Sequence, residues 1–164
     1  MKGFRGLAAG AVLVTAIVAS GSAAFAASGH SRAASKAPLF IQVVSKASFS
    51  QTVAQLKRAI AANGMMVLGT INQKGALSTT GLNLKGAESF FVGNPVIGKK
   101  FFEMDPAIGT ELPVRVFVWV NAQGKAELGY FNPSVMFSAV SPQMGKMSAK
   151  IAMMIGAIVQ QAAK

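Results

Sequence analysis

The fold is decided by residues 113–131, which read "PVRVFVWVNAQGKAELGYF". Valine stands at every second position from Val114 to Val120, and Arg115, Phe117 and Trp119 stand between them. This alternation is typical of a β-strand, and the following "NAQG" (121–124) predicts the turn of a hairpin. Because both faces of the first arm are largely apolar, we expect it to lie centrally in a sheet that is covered on both sides.

Three further strands are predicted before this hairpin. Residues 39–45 ("LFIQVVS"), 65–71 ("MMVLGTI") and 88–93 ("ESFFVG") concentrate β-branched and aromatic side chains. The stretch between the second and third of these strands is rich in Ser, Thr and Gly and is interpreted as a loop. Together with the hairpin, these segments predict a single compact α/β (α+β) domain over residues 39–164. Its sheet should have about five strands and be mixed or antiparallel.

An N-terminal helix is predicted between the first two strands. Ser48 and Gln51 have the spacing of a capping box, and apolar residues then recur every three or four positions. Asn63 and Gly64 supply the left-handed end that is common after helices.

Residues 91–100, "FVGNPVIGKK", resemble a phosphate-binding loop in which Lys100 replaces the usual Ser or Thr. Pro95 removes one of the backbone N–H groups that such a loop needs. The same letters fit a short helix that starts with Asn94 as its N-cap and Pro95 at the first helical position. Asp105 and Pro106 repeat this pattern at the end of that helix.

A helix N-terminus can attract an anion, and Lys99 follows one turn later. A small anionic ligand is therefore one hypothesis for this chain, alongside a purely structural cap. The candidate residues for such a site are Asn94, Lys99, Arg115 and Tyr130.

Residues 143–162 predict a C-terminal amphipathic helix with apolar residues such as Met147, Ile151 and Ile158 on one face. Its lysines, Lys146 and Lys150, with Lys164 beyond the helix, leave two interpretations open. The apolar face either docks on the sheet or on a partner subunit, or it makes a peripheral contact with an anionic membrane surface.

The first 26 residues are typical of a signal peptide. Lys2 and Arg5 precede an uncharged apolar stretch (7–19), and small residues follow at the alternate positions 24 and 26. We expect cleavage near Ala26, a flexible linker over residues 27–38, and a periplasmic or secreted protein. An uncleaved N-terminal anchor is the alternative.

The composition argues against several functional classes. The chain has no cysteine, and its one histidine, His30, lies in the linker. Its five carboxylates are scattered, so no acid–base pair or hydrolytic triad is recognisable and no cofactor is expected. The 16 Lys and Arg residues are mostly spread singly, which does not favour a nucleic-acid partner. Few carboxylates also suggest tolerance of acid, because paired carboxylates drive acid unfolding.

Methionine offers a soft-metal alternative. Thioethers suit Cu(I), and four of the nine methionines lie close together near the C-terminus. Such a stripe is also a common packing face. The candidate ligands are Met144, Met147, Met153 and Met154.

An ordered set of short motifs resembles the domain-of-unknown-function-302 family over about Val43 to Met136. The matching elements are Thr52-Val53, Gly93-Asn94-Pro95, Leu112-Pro113 with Arg115, and Tyr130 with Pro133. The resemblance implies a compact α/β fold that is commonly dimeric and has no established activity. The chain departs from the family pattern at 72–74 ("NQK") and at Asn132, where acidic residues are usual. We therefore expect a non-catalytic binding or interaction module that works as a homodimer.

Overall fold

A computed structural model describes residues 37–164, so the predicted signal peptide (1–26) and almost all of the predicted linker (27–38) lie outside the described residues. The strands are β1 (Phe40–Val44), β2 (Met66–Ile71), β3 (Ala87–Gly93), β4 (Val114–Val120) and β5 (Ala126–Phe131). They form one sheet that is antiparallel throughout, in the order β1-β5-β4-β3-β2. The helices are α1 (Phe49–Ala62), α2 (Gln73–Ser78), α3 (Pro95–Met104), α4 (Pro133–Val140) and α5 (Gly145–Ala162), with short 3-10 turns at Pro106–Thr110 and Pro142–Met144.

The predicted α/β fold with a five-stranded sheet is confirmed, and the hairpin lies at its centre. β4 pairs with β5 on one side and with β3 on the other, and Gly124 takes a positive φ of 74° in the connecting turn. Within a single copy of residues 37–164, the expected covering of β4 is present on one side only. Val114, Val116 and Val118 are buried, whereas Arg115 between them is exposed. The sheet therefore has one covered face and one partly exposed face within residues 37–164.

The core lies between the covered face of the sheet and two long helices. α1 contacts β4 and β5, and α5 packs against α1 and α4. Because buried side chains from α1 and α5 meet those from the strands, one apolar cluster joins all three layers. Its fully buried members include Leu56, Ile60, Phe90, Val116, Leu128, Ile155 and Ile158.

The predicted features of α1 are present. Ser48 and Gln51 form a capping box, and Gly64 adopts a positive φ of 68° just beyond the helix. Inside the first turn the buried hydroxyl of Thr52 donates to Ser45 Oγ at 2.8 Å. This bond ties the start of α1 to the end of β1.

α5 is an 18-residue helix whose apolar stripe faces the core: Ile151, Ile155 and Ile158 are buried. A peripheral membrane contact through α5 would therefore rest on its exposed lysines, and it stays a prediction. Among the helices of residues 37–164, none combines the length and apolar character needed to cross a bilayer.

The segment interpreted as a loop before β3 contains a short helix that the sequence analysis missed. Asn72 caps α2 by accepting the N–H of Gly75 at 2.8 Å. α2 buries none of its residues, so it has no apolar periodicity by which to recognise it. It nevertheless contacts β3 and borders the partly exposed face of the sheet.

Candidate functional site

The most unusual surface of the described chain is the sheet face opposite α1, which we call the open face. Several of its apolar side chains are about half exposed: Phe40 by 46%, Phe131 by 44% and Val44 by 53%. Strand register places alternate residues of β1, β5 and β4 there. The open face comprises Phe40, Gln42, Val44, Arg115, Phe117, Trp119, Glu127, Gly129 and Phe131, together with Ser89 and Phe91 of β3, which pair with Phe117 and Arg115.

Aromatic rings dominate the open face. Phe117 and Trp119 are stacked with ring centroids 5.3 Å apart, and Phe40 and Phe131 lie 5.4 Å apart. Gly129 sits beneath them: a Cβ atom at this position would be 2.7 Å from Phe40 Cζ and 2.9 Å from the Trp119 ring. The missing side chain thus lets the rings rest directly on the backbone of β5.

A cavity of about 240 Å³ opens on this face, and we call it the aromatic cavity. Its floor includes Gly129, and its walls include Phe40, Phe117 and Phe131, with Arg115 at one side. Arg115 also borders a neighbouring cavity of about 280 Å³ that contains Glu111. The lining residues of the aromatic cavity include no carboxylate, so a guanidinium is its only fully charged group.

Two polar side chains complete the aromatic cavity. Gln73, at the start of α2, donates from Nε2 to Ser89 Oγ at 2.6 Å. Its Oε1 is buried and has no hydrogen-bond partner among residues 37–164. Because a buried unpaired amide oxygen is unfavourable, Gln73 is suited to accept a bond from a ligand or a bound water. Sequence analysis missed Gln73, Ser89 and the phenylalanines, because only the sheet register and α2 bring them together.

Tyr130, a predicted partner of Arg115, faces the opposite side of the sheet. It pairs with Val116 and belongs to the buried core, so only its strand position brings it to the border of the aromatic cavity. Burial raises the pKa of its hydroxyl above the usual 10.0. The two side chains therefore do not form one site.

Asn94 and Lys99 lie at the start of α3, and their polar groups already have partners. Asn94 Oδ1 accepts the N–H groups of Val96 and Ile97, and its Nδ2 donates to the Gly64 carbonyl at 2.9 Å. Lys99 forms an ion pair with Glu103 one turn along. The bonds of Asn94 favour the structural cap over an anion site at the backbone of α3, and the exposed Lys99 side chain takes no part in that cap.

The four candidate copper ligands have different surroundings. Met144 is fully buried in the core, Met147 and Met154 pack against it, and Met153 is 69% exposed. An exposed thioether and a fully buried one do not share a site, so the structure favours packing over ligation. Within residues 37–164, no group of three or more His, Cys, Asp or Glu side chains is placed to hold a metal ion.

The Brucella fluoride-specific ion channels named FluC match part of the chain. That of B. suis biovar 1 (strain 1330) is 27% identical over 94 residues, which are 57% of this chain and 37% of the relative. The FluC 1 protein of B. abortus biovar 1 (strain 9-941) matches at 27% identity over 35% of its length. The chain thus spans about a third of the length of these curated relatives.

The fold is shared with a solved structure. The crystal structure of an uncharacterised conserved DUF302 protein from Bacillus stearothermophilus superimposes with a TM-score of 0.71 at 19% identity. The match covers 77% of this chain and 99% of the other. The sequence profile of the family described as "Domain of unknown function DUF302" matches residues 41–162, which extends the predicted family-like core (43–136) through α4 and α5. The chain therefore belongs to the DUF302 family.

Proposed function

We propose that this protein is an exported, non-catalytic interaction module that works as a homodimer, with a second copy covering the open face. The observation that carries the proposal is the exposure of aromatic side chains on this face, with Phe40 and Phe131 almost half accessible. Apolar surface of this kind, bordered by polar residues, is typical of interaction sites. When this face meets the same face of a second copy, one symmetric contact buries these rings in both copies.

The distribution of charge supports a second copy as the occupant. The chain carries a formal net charge of +11, so most approaches of two copies are repulsive. On the open face Arg115 is the one exposed charged residue, and the one carboxylate, Glu127, is buried. Two copies that meet there therefore bring fewer like charges together than on the lysine-bearing surfaces.

The non-catalytic part of the proposal rests on chemistry. The chain's five carboxylates are scattered, and Glu127 is buried with Asn121 Nδ2 3.2 Å from its Oε2. General acid–base catalysis requires a titratable group at the site with a pKa matched to the task. The aromatic cavity offers an arginine, an amide and a hydroxyl, which bind and orient a ligand.

Sedimentation velocity with matched variants tests the dimer. Phe131→Lys places a charge in the proposed interface, and we expect it to weaken self-association at least tenfold. Met153→Lys adds the same charge at a residue that is 69% exposed on α5, and it should leave self-association unchanged. A wild-type monomer at high concentration, or equal dissociation constants for both variants, would contradict the proposal.

A second candidate function is the binding of a small organic anion in the aromatic cavity. Within residues 37–164 the sole ion pair is Lys99–Glu103, so the Arg115 guanidinium is available to a ligand. Arginine recognises carboxylates through paired hydrogen bonds, and the phenylalanine walls suit a flat apolar body. The ligand would then lie beneath the partner copy.

Calorimetric titration tests this candidate with benzoate, phosphate and fluoride. Fluoride is included because the matched Brucella relatives are named as fluoride-specific channels. We expect benzoate to bind most tightly, since it alone uses the aromatic walls. Arg115→Met should weaken benzoate binding at least tenfold, whereas Lys125→Met, at an exposed turn residue, should not. Undiminished binding by Arg115→Met would exclude this site.

A further inference from the structure

A further cavity within residues 37–164 lies apart from the open face and is almost wholly lined by hydrocarbon. We call it the apolar cavity; it has a volume of about 320 Å³ and is bounded by the β2–β3 edge, α3, residues 112–114 and Ile151 of α5. None of the open-face residues lines it. Its apolar wall includes Met65, Leu68, Val92, Phe101, Leu112 and Ile151.

The apolar cavity is accessible from solvent. Leu68 and Phe102, two of its lining residues, are 48% and 46% exposed. They form an apolar rim that a ligand would cover on entering. Hydrocarbon side chains exposed around a hydrocarbon-lined cavity favour an apolar occupant over water, because water needs several polar partners to be held in such a space.

Gly98 leaves part of the wall without a side chain. It lies inside α3, where glycine is less favourable than alanine, and it is not among the glycines with a positive φ. A Cβ atom at this position would meet no other atom within 4 Å. Neither backbone conformation nor packing therefore requires glycine here. Its effect is to widen the cavity beside the helix.

The lining of the apolar cavity includes a positively charged side chain. Lys99 lines the cavity, and its ion pair with Glu103 is exposed, with 72% and 58% of the two side chains accessible. Exposed ion pairs contribute little and exchange readily. The Lys99 ammonium can therefore turn to a negatively charged group on a ligand, and Lys100 adds a second exposed cation next to it.

We propose that the apolar cavity binds a medium-chain fatty acid, with the acyl chain inside and the carboxylate at Lys99. A water-sized group occupies about 30 Å³ of liquid, so the volume fits about ten methylene-sized groups. The cation at the rim selects an anionic head group over a neutral one. Of the two exposed lysines only Lys99 lines the cavity, and one ammonium group is matched by a single carboxylate.

A chain-length series tests the volume argument. Hexanoate, octanoate, decanoate and dodecanoate are titrated by calorimetry into the purified protein below their micellar concentrations. We expect affinity to rise about fourfold per methylene while the chain still fits, and then to level off near ten carbons. Affinity that is absent for all four acids, or that is independent of chain length, would overturn the proposal.

Two variants locate the ligand. Gly98→Leu fills the wall and should reduce decanoate affinity at least tenfold, while Ala157→Leu, at an exposed position of α5, should not. Thermal melting should show Gly98→Leu at least as stable as the wild type, because leucine favours the helix interior. Equal decanoate affinity for both leucine variants would overturn the site.

The head-group contact has its own test. Lys99→Met should weaken decanoate about tenfold and leave 1-decanol binding unchanged, because the alcohol carries no charge. Equal losses for both ligands, or no loss for decanoate, would overturn the role of Lys99. These measurements are independent of the proposed dimer, since self-association is followed separately by sedimentation. A monomeric protein that binds decanoate would disprove the dimer and leave the cavity proposal standing.

Discussion

Tyr130 is the residue whose chemistry burial changes most clearly, because its pKa is raised above 10.0 by desolvation. Below that pH the hydroxyl is protonated in both the folded and the unfolded chain, and it adds no pH dependence. Above it the unfolded chain loses the proton first, so the free energy of unfolding falls as pH rises. We expect Tyr130→Phe to lose less stability than the wild type between pH 9 and 11 in urea titrations. Parallel pH profiles would contradict this assignment.

Gly129 is required by the rings that lie on it. We expect Gly129→Ala to cost about 1–3 kcal/mol, because its Cβ would meet Phe40 and Trp119 at under 3 Å. Gly69→Ala is the matched control, since its Cβ would have an ordinary contact of 3.8 Å with Phe91. Urea denaturation measures both variants. Equal stability of the two would mean that the rings move aside freely.

Residue type predicted Arg115 and Tyr130 as site residues, but it did not predict their relative orientation. Tyr130 pairs with Val116, which places the Tyr130 and Arg115 side chains on opposite faces. A shift of one residue in the register would have reversed this result. The sequence of one strand predicts which of its own residues share a face. It does not predict their neighbours on the adjacent strand, because the register depends on the packing of the whole sheet.

At the scale of elements, one local pattern starts three helical segments. The side chains of Asn94, Asp105 and Asn132 each accept an N–H group two residues on, and each is followed by proline. Sequence analysis predicted the first two and overlooked the third, which begins α4. The amide oxygen of Asn132 accepts this capping bond as the carboxylate of Asp105 does.

The third cap should be the most costly to remove. Asn132 is buried, and besides its capping bond it donates to the Pro38 carbonyl at 3.1 Å. We expect Asn132→Ala to lower the free energy of unfolding by about 2 kcal/mol, and Asp105→Ala, which loses one cap bond, by about 1 kcal/mol. Asn83→Ala, in an exposed loop, should stay within about 0.5 kcal/mol. The reverse order in urea titrations would contradict this ranking.

Among the helices and strands, α2 is the one whose existence the sequence pattern did not predict. It spans six residues, buries none of them, and is identified by a side-chain cap and its contact with β3. Long helices that pack on the core, such as α1 and α5, are predicted by the periodicity of their apolar residues, which α2 lacks. Because α2 carries Gln73, the aromatic cavity was also beyond prediction.

At the scale of the whole molecule, the scarcity of carboxylates predicts acid tolerance. Acid unfolding protonates carboxylates that are paired or hydrogen-bonded in the native state. Within residues 37–164 these are few: Glu103 in an exposed ion pair, Asp105 as a helix cap and Glu127 beside Asn121. We expect the melting temperature at pH 3 to lie within about 4 °C of that at pH 7 in 0.15 M salt. A fall of about 10 °C or more would show that native carboxylate contacts matter for stability.

A second copy on the open face would enclose Trp119, the chain's single tryptophan, so the fluorescence of this residue reports directly on the proposed dimer. Its emission is followed during serial dilution of the wild-type protein, with the molar mass from sedimentation alongside. We predict that emission shifts to longer wavelength as the mass falls from that of a dimer to that of a monomer. An emission maximum that stays constant while the mass halves would place the interface elsewhere, and a monomer at every concentration would contradict the dimer itself.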